Sequence, residues 1–285
     1  RGAHHLDDIN AKHSILEMTD SISFNMLRSL KNLKFNSIKN LIMRLIYFLE
    51  IPRMSLYERK MIKAFDNIVL VSKKDADFII NSETDYYLAE KIKIIPLAIE
   101  EEFLNFNSNF FDKKKIIFIG RMDYAPNEDA VLYFTEKILP LITRKYLNIE
   151  FKIVGAKPSR KIINLEKKFN FISVLGFVDN LLDEVSSATL SIAPMVSGSG
   201  MQTKILESMA LGVPVVTNSM GYGDFNFKIG EEIIVEDDEK NFAEAVIKIL
   251  NSGSQRKILS TACKNAIIRS YSIDSVMKNY INNDT

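Results

Sequence analysis

Residues 198–217 read Gly198-Ser-Gly-Met-Gln-Thr-Lys-Ile-Leu-Glu-Ser-Met-Ala-Leu-Gly-Val-Pro-Val-Val-Thr217. The stretch is a glycine-bearing loop, a helix, a Gly-Val-Pro stop and an apolar strand. An apolar run at Leu190–Pro194 precedes it as a second strand, with Met195–Gly200 as the loop and Met201 opening the helix. A loop that feeds a helix N-terminus presents unpaired backbone N–H groups. Those of Gly200, Met201, Gln202 and Thr203 are therefore expected to face an anion. Lys204 and Glu207 stand three apart, on one face of the helix. The lysine suits a phosphate and the glutamate a hydroxyl.

The same alternation continues on both sides. Strands are expected at 116–120, 150–155, 172–175, 214–217 and 233–235, and helices at 128–146, 159–169, 180–187 and 201–211. Continuous apolar strands between helices indicate a parallel α/β sheet buried on both faces. Further strands are expected at 14–19, 67–71 and 92–96. The polar segment 105–114 suggests a boundary, dividing the chain into 1–108 and 109–271, with a last helix in 272–285 packing back on the first part. Three strands are few for a domain to match the second. This and the opening on Arg1 suggest that the first domain is incomplete.

Composition narrows the classes. The chain has 285 residues, enough for two domains, and its 47% apolar and 26% charged residues suit a soluble protein. A net charge of +1 gives no overall field for nucleic acid. The single cysteine, Cys263, excludes a disulfide within the chain, and its apolar surroundings mark it as core. His4-His5 has no further ligands nearby, so no metal site is expected. One segment departs from the average. Residues 28–63 carry nine basic side chains against Glu50 and Glu58, with Leu41, Ile42, Leu45, Ile46, Phe48 and Leu49 interleaved. It reads either as a helix lying on an anionic membrane surface or as a helix whose apolar stripe meets its own core.

Gly120-Arg121 follows the strand at 116–120, where open α/β sheets bind ligands. The Arg121 guanidinium suits a phosphate there, or pairs with Asp123 or Glu128. Asn127, after Pro126, reads as a helix cap with acidic residues in the first turn. Asp75-Ala-Asp77 has the look of a metal-binding pair, but Ser72-Lys-Lys-Asp75 after a strand is better read as a capping box.

Taken in order, Gly120-Arg121…Pro126-Asn127, Ile153-Val-Gly155, Gly176-Phe-Val-Asp179, Ala193-Pro194…Gly198-x-Gly200-x-x-x-Lys204-x-x-Glu207 and Gly212-x-Pro-Val-Val216 resemble the nucleotide-binding half of GT-B glycosyltransferases of the family-4 type (glycosyl transferases group 1). The resemblance covers about residues 112–272, and 14–97 more weakly. It implies an α/β fold of two Rossmann-like domains and a nucleoside-diphosphate sugar as donor. It also implies a saccharide or lipid-linked acceptor, retention of anomeric configuration, and no metal or other cofactor. By position, Gly120, Arg121, Val178, Ser199, Gly200, Met201, Gln202, Thr203, Lys204 and Glu207 match the donor site, with Arg121 and Lys204 on the phosphates, Glu207 on the ribose and Val178 beside the base. Two positions depart from the family pattern: Ser199 stands where many relatives have a glutamate, and Asn127 where a second lysine is common. The Gly-x-Gly form resembles a subgroup that builds bacterial surface polysaccharides, which implies work in the cytoplasm, peripherally at the inner membrane face.

Asp20, at the end of strand 14–19, occupies the place where many relatives have a histidine facing the donor sugar. It is a candidate catalytic residue beside Arg121 and Lys204, or else a helix cap. Two other functions fit parts of the pattern. Gly198-x-Gly200 with Asp224 suggests an NAD-dependent dehydrogenase, although Thr203 replaces the third glycine. A non-catalytic sugar-nucleotide-binding fragment or subunit would use the same donor residues.

Overall fold

The computed structural model describes residues 12–33, 38–80, 86–106, 114–146, 148–198 and 200–282. His4, His5 and Ser199 lie outside the described residues. The chain forms two compact units. One comprises Arg1–Leu97, Gly198–Met201 and Lys278–Thr285, and the other Ala98–Ser197 and Gln202–Met277. The division at Leu97 precedes the polar segment 105–114, because Phe103 and Phe106 around the short helix Glu101–Asn105 pack on the second unit's core.

The first unit holds three parallel strands in the order β1 (Ile15–Met18), β2 (Asn67–Leu70), β3 (Ile92–Ile94). Ile68 and Leu70 on β2 pack with Ile62, Phe65, Ala76, Ile79 and Leu88 from the flanking helices. The basic segment runs from the end of the helix Ile22–Asn32 into a 27-residue helix, Ile38–Ala64, with Pro52 inside it. Leu41, Ile42, Leu45, Ile46, Phe48 and Leu49 are exposed on it, so among the described residues this stripe does not meet the protein's own core, one of the two readings of the sequence. No described helix is long and apolar enough to cross a membrane.

The second unit is a six-stranded parallel sheet. Its strands are β4 (Lys115–Ile119), β5 (Glu150–Val154), β6 (Ile172–Gly176), β7 (Leu190–Ala193), β8 (Val215–Thr217) and β9 (Ile234–Val235), in the spatial order β6-β5-β4-β7-β8-β9. The chain winds outward from β4 in one direction, then returns to β7 and winds in the other. This is a doubly wound sheet with its switch point between β4 and β7. Successive side chains point to opposite faces of the sheet, so a central strand such as β4 is apolar at both. Ile116 and Phe118 face one helical layer, containing Phe134, Ile138 and Phe242. Ile117 and Ile119 face the other, containing Leu182, Val185 and Leu211. Each such fully buried side chain contributes on the order of 1.5–3 kcal/mol.

Two helix starts differ from the sequence reading. The helix expected at 128–146 begins at Ala125 and passes through a π-helical turn at Phe134–Ile138 before Leu139–Thr143. Pro140 has no N–H for the ladder, which accounts for the wider turn ahead of it. Its cap is Tyr124, and Asn127 is buried inside the first turn instead of capping it. The helix expected from Met201 begins at Thr203, with Gln202 as its cap residue. Gly200 has φ +77°, so the chain is still turning there and the Gly200 and Met201 N–H groups belong to the loop.

Candidate functional site

The switch point brings two strand ends together. Beyond β4 runs Gly120-Arg121, and beyond β7 runs the loop that leads to the Lys204 helix. The β4 end is fixed by main-chain bonds to its neighbour: Gly120 N–H donates to Val154 O (3.0 Å) and Met122 N–H to Ala156 O (2.9 Å). On the β7 side, Thr217 Oγ1 donates to Ala193 O (2.8 Å) and Asn218 Nδ2 to Met195 O (2.7 Å).

Lys204 is 7% exposed, yet it is a cation. Its Nζ donates to Asn127 Oδ1 (2.9 Å) and to Gln202 Oε1 (2.8 Å), lies 3.9 Å from Met195 Sδ, and stands 5.4 Å from the Phe118 ring centroid. These neighbours are all neutral. Burial pulls the Lys204 pKa down to about 8, against a smaller opposing effect from Glu207. Burial raises the Glu207 pKa, Lys204 lowers it, and Glu100 raises it further. For a desolvated ammonium held by neutral acceptors, a neighbouring anion would favour the charged form. Gln202 gives no side-chain cap to its helix, because its carbonyl oxygen is turned to Lys204.

Arg121 is arranged differently. Its guanidinium is exposed and forks onto Asp123, Nε to Oδ1 at 3.1 Å and Nη2 to Oδ2 at 2.8 Å. Lys157 Nζ lies 3.4 Å from the same carboxylate. Arg121 is thus at the switch point with its fork engaged, and a phosphate would take it from a solvated pair. Val178 lies past the carboxyl end of β6 and packs against the core cluster that contains Ile117, Ile119 and Val154. Asn180 caps the next helix through a bond from Asp183 N–H.

Asp20 lies in the first unit, past the end of β1. It does not cap the following helix. Ser21 does, its hydroxyl accepting from Phe24 N–H at 3.2 Å. Glu58, buried on the long helix, accepts from Ile22 N–H (2.5 Å), Ser23 N–H (3.3 Å) and the hydroxyls of Ser21 and Ser23. Asp75 Oδ1 accepts from Ser21 N–H at 3.0 Å. Burial raises the Asp20 pKa, and the Asp75 charge adds to this, with Asn25 and Arg28 acting the other way. Asp20 Oδ1 is buried with no hydrogen-bond partner. Contacts group Gly198–Met201 with this unit, and a Cβ on Gly200 would fall 2.8 Å from Asp20 Oδ1.

The metal-like pair resolves as capping: Asp75 N–H donates to Ser72 Oγ at 3.4 Å, and the Asp75 carboxylate is turned to Ser21. Among the described residues no group of three or more His, Cys, Asp or Glu could hold a metal ion. Cys263 is fully buried in the core, and burial pushes its pKa up to about 12. Sequence reasoning missed Asn127 and Gln202 as the residues that hold Lys204. Their signal is side-chain chemistry: each offers a neutral carbonyl acceptor within reach of the same ammonium.

Comparison with known proteins bears on the fold and on the second unit. Residues 113–252 match the family model described as Glycosyl transferases group 1. A protein of Klebsiella pneumoniae, described as an uncharacterized 44.6 kDa protein in the cps region, is 22% identical over 222 residues, 75% of this chain and 54% of its own length. The structure of WaaG, a glycosyltransferase involved in lipopolysaccharide biosynthesis, superposes with a TM-score of 0.69 at 13% identity, covering 99% of this chain and 79% of WaaG. A point mutant of S. aureus TarM, solved in complex with Fondaparinux, alpha-GlcNAc-glycerol and UDP, superposes with a TM-score of 0.64 at 18% identity, covering 79% of this chain and 46% of TarM. The chain spans about half the length of the Klebsiella protein and of TarM. Its fold, α/β with two parallel sheets, is that of the GT-B glycosyltransferases.

Proposed function

We propose that this chain, which carries the glycosyl transferases group 1 match over residues 113–252, works in a glycosyltransferase that moves a sugar from a nucleoside diphosphate to a saccharide or lipid-linked acceptor in surface polysaccharide biosynthesis. The observation that carries the reading is Lys204: a buried ammonium with neutral partners at the switch point of a doubly wound sheet. The cps-region origin of the Klebsiella relative and WaaG's involvement in lipopolysaccharide biosynthesis support the polysaccharide setting.

In this reading the bond between the sugar's anomeric carbon and the diphosphate oxygen breaks, and the diphosphate keeps the electron pair. Lys204, the N–H groups opening its helix and Arg121, once released from Asp123, meet the growing negative charge. Stabilisation of developing charge by fixed donors is commonly the largest catalytic effect. The acceptor hydroxyl attacks from the face the diphosphate leaves, which retains configuration, and its proton passes to the leaving oxygen. Positive charge comes from side chains and backbone, so the reading includes no metal or other cofactor. Glu207 takes the ribose hydroxyls, Val178 lies beside the base, and Asp20 serves the sugar or the acceptor. The setting is cytoplasmic, and the exposed apolar and basic face of Ile38–Ala64 is the surface that would meet anionic lipid.

The dehydrogenase reading is disfavoured. In a dinucleotide-binding sheet the glycine fingerprint follows the first, central strand. Here that strand is β4, which is followed by Gly120-Arg121, while Gly198-x-Gly200 follows β7. A thermal-shift panel of nucleoside diphosphates and their sugar conjugates tests the proposal, since a ligand that binds the folded state raises its melting temperature. Stabilisation by NADH and by no nucleoside diphosphate would refute it.

A further inference from the structure

We propose that Asn127 is a positioning residue for the donor diphosphate: it holds the Lys204 ammonium through a neutral acceptor, and so keeps the charge free for phosphate, while tying it to the Arg121 backbone. The inference rests on the donor-site reading and adds to it a residue whose family counterpart is commonly a lysine.

The geometry is a two-ended clamp. Asn127 Oδ1 accepts from Lys204 Nζ at 2.9 Å, and Asn127 Nδ2 donates to Arg121 O at 2.8 Å. One planar amide therefore links the turn after β4 to the helix that carries Lys204, with its own position and Lys204 separated by 77 residues of chain. The amide cannot reverse without placing two donors together at Lys204 and two acceptors together at Arg121. Asn127 is buried and sits in the first turn of a helix. A second lysine here would repel Lys204. An aspartate would neutralise it. Asparagine alone among the three orients the ammonium and leaves its charge unspent.

This arrangement has a pH signature. With Lys204 free and titrating near 8, a bound phosphate favours the ammonium and raises that value. Affinity from this contact is then full below about pH 8 and is lost as pH rises through the bound-state value. The ligand's own phosphate titrates near 6 and is constant over this range. Other charged groups on the surrounding elements are engaged or remote. Glu207 is the one that acts on Lys204, and Glu100 acts on Glu207. Glu128 pairs with Lys161, Asp129 accepts from Ser197, and Cys263 lies against the Met209 carbonyl.

The test is calorimetric titration of UDP, or of whichever of UDP, GDP, ADP, CDP and dTDP stabilises the wild type most, at several pH values from about 7 to 10, bracketing the Lys204 titration. Wild type, N127D, N127A and K204A are compared, and thermal unfolding establishes that each is folded. N127D should weaken binding about tenfold or more at pH 7 and flatten the decline above pH 8, because the added carboxylate neutralises Lys204 and raises its pKa. N127A should weaken binding and move the midpoint below that of the wild type, because the ammonium loses an acceptor. If K204A loses affinity while both Asn127 variants keep the wild-type affinity and midpoint, the clamp is refuted and the donor site stands. If the wild type binds no nucleoside diphosphate, the donor-site reading fails and the clamp with it.

Discussion

The carbonyl oxygen of Gly120 occupies the place where a side chain on Gly155 would begin: a Cβ on Gly155 would stand 1.8 Å from it. Gly155 holds φ +152° and Gly120 φ +147°. The two backbones cross in contact at the ends of β4 and β5, and this crossing sets the turn that carries Arg121. Because the obstacle is main chain, it cannot swing aside.

Gly155→Ala should therefore destabilise the second unit. A residue forced into so sparsely populated a conformation costs of order 1–3 kcal/mol before the clash is counted. Thermal unfolding should show a fall of at least several degrees. A melting temperature within a degree of wild type would mean that the crossing relaxes freely.

Glu58 gives a second prediction. It gathers donors from Ser21, Ile22 and Ser23 at the start of the helix Ile22–Asn32. Glu58→Ala strips buried donors of their acceptor and should cost roughly 2–3 kcal/mol. Glu58→Gln keeps one acceptor oxygen and should cost less. Denaturant unfolding of the two variants checks the order, and equal losses would show that the carboxylate oxygens are not what holds the helix start.

Asp20 should trade stability for function. Its pKa is raised from the ordinary 3.8, first by burial and then by Asp75, so the folded state disfavours the ionised form. The folded chain holds this proton longer than the unfolded chain does. Stability from it is full below about pH 4 and is lost as pH rises through the folded-state value. Asp20→Asn removes that loss, so its melting temperature should equal or exceed wild type at pH 7, with the gap closing towards about pH 3. In the proposed reading the same variant should bind nucleoside diphosphate normally and transfer little sugar. Full transfer by the variant would remove Asp20 from the mechanism.

Arg121 should respond to its neighbour. Asp123 now holds the guanidinium fork. Asp123→Ala should free it and tighten diphosphate binding at low salt, with the gain fading as salt rises. Calorimetry at two ionic strengths checks this, and weaker binding in the variant would mean that Asp123 orients Arg121 for the ligand.

The central strands of the second unit, β4, β7 and β8, were readable because they are buried on both faces, which writes an apolar run such as Ile116–Ile119 directly into the sequence. That Lys204 and Glu207 share one helix was readable for the related reason that a loop, a helix and a strand follow one another without interruption. Asn127 was not. Pro126-Asn127 has the composition of a helix start, and local pattern reads it as a cap. The structure spends the side chain on a lysine 77 residues away, a choice no local window can display. Gln202 was read for its backbone N–H alone, and no local window displays that its side chain answers Lys204. The exposed stripe on Ile38–Ala64 shows the converse limit, since periodicity says which residues share a face and not what covers it.

The most direct test of the central claim is calorimetric titration of wild type and K204A with UDP and with uridine at pH 7, or with the diphosphate and nucleoside of the base that binds best. The account predicts that K204A loses about tenfold or more in diphosphate affinity and leaves nucleoside affinity unchanged. Equal losses on both ligands, or none on the diphosphate, would contradict it.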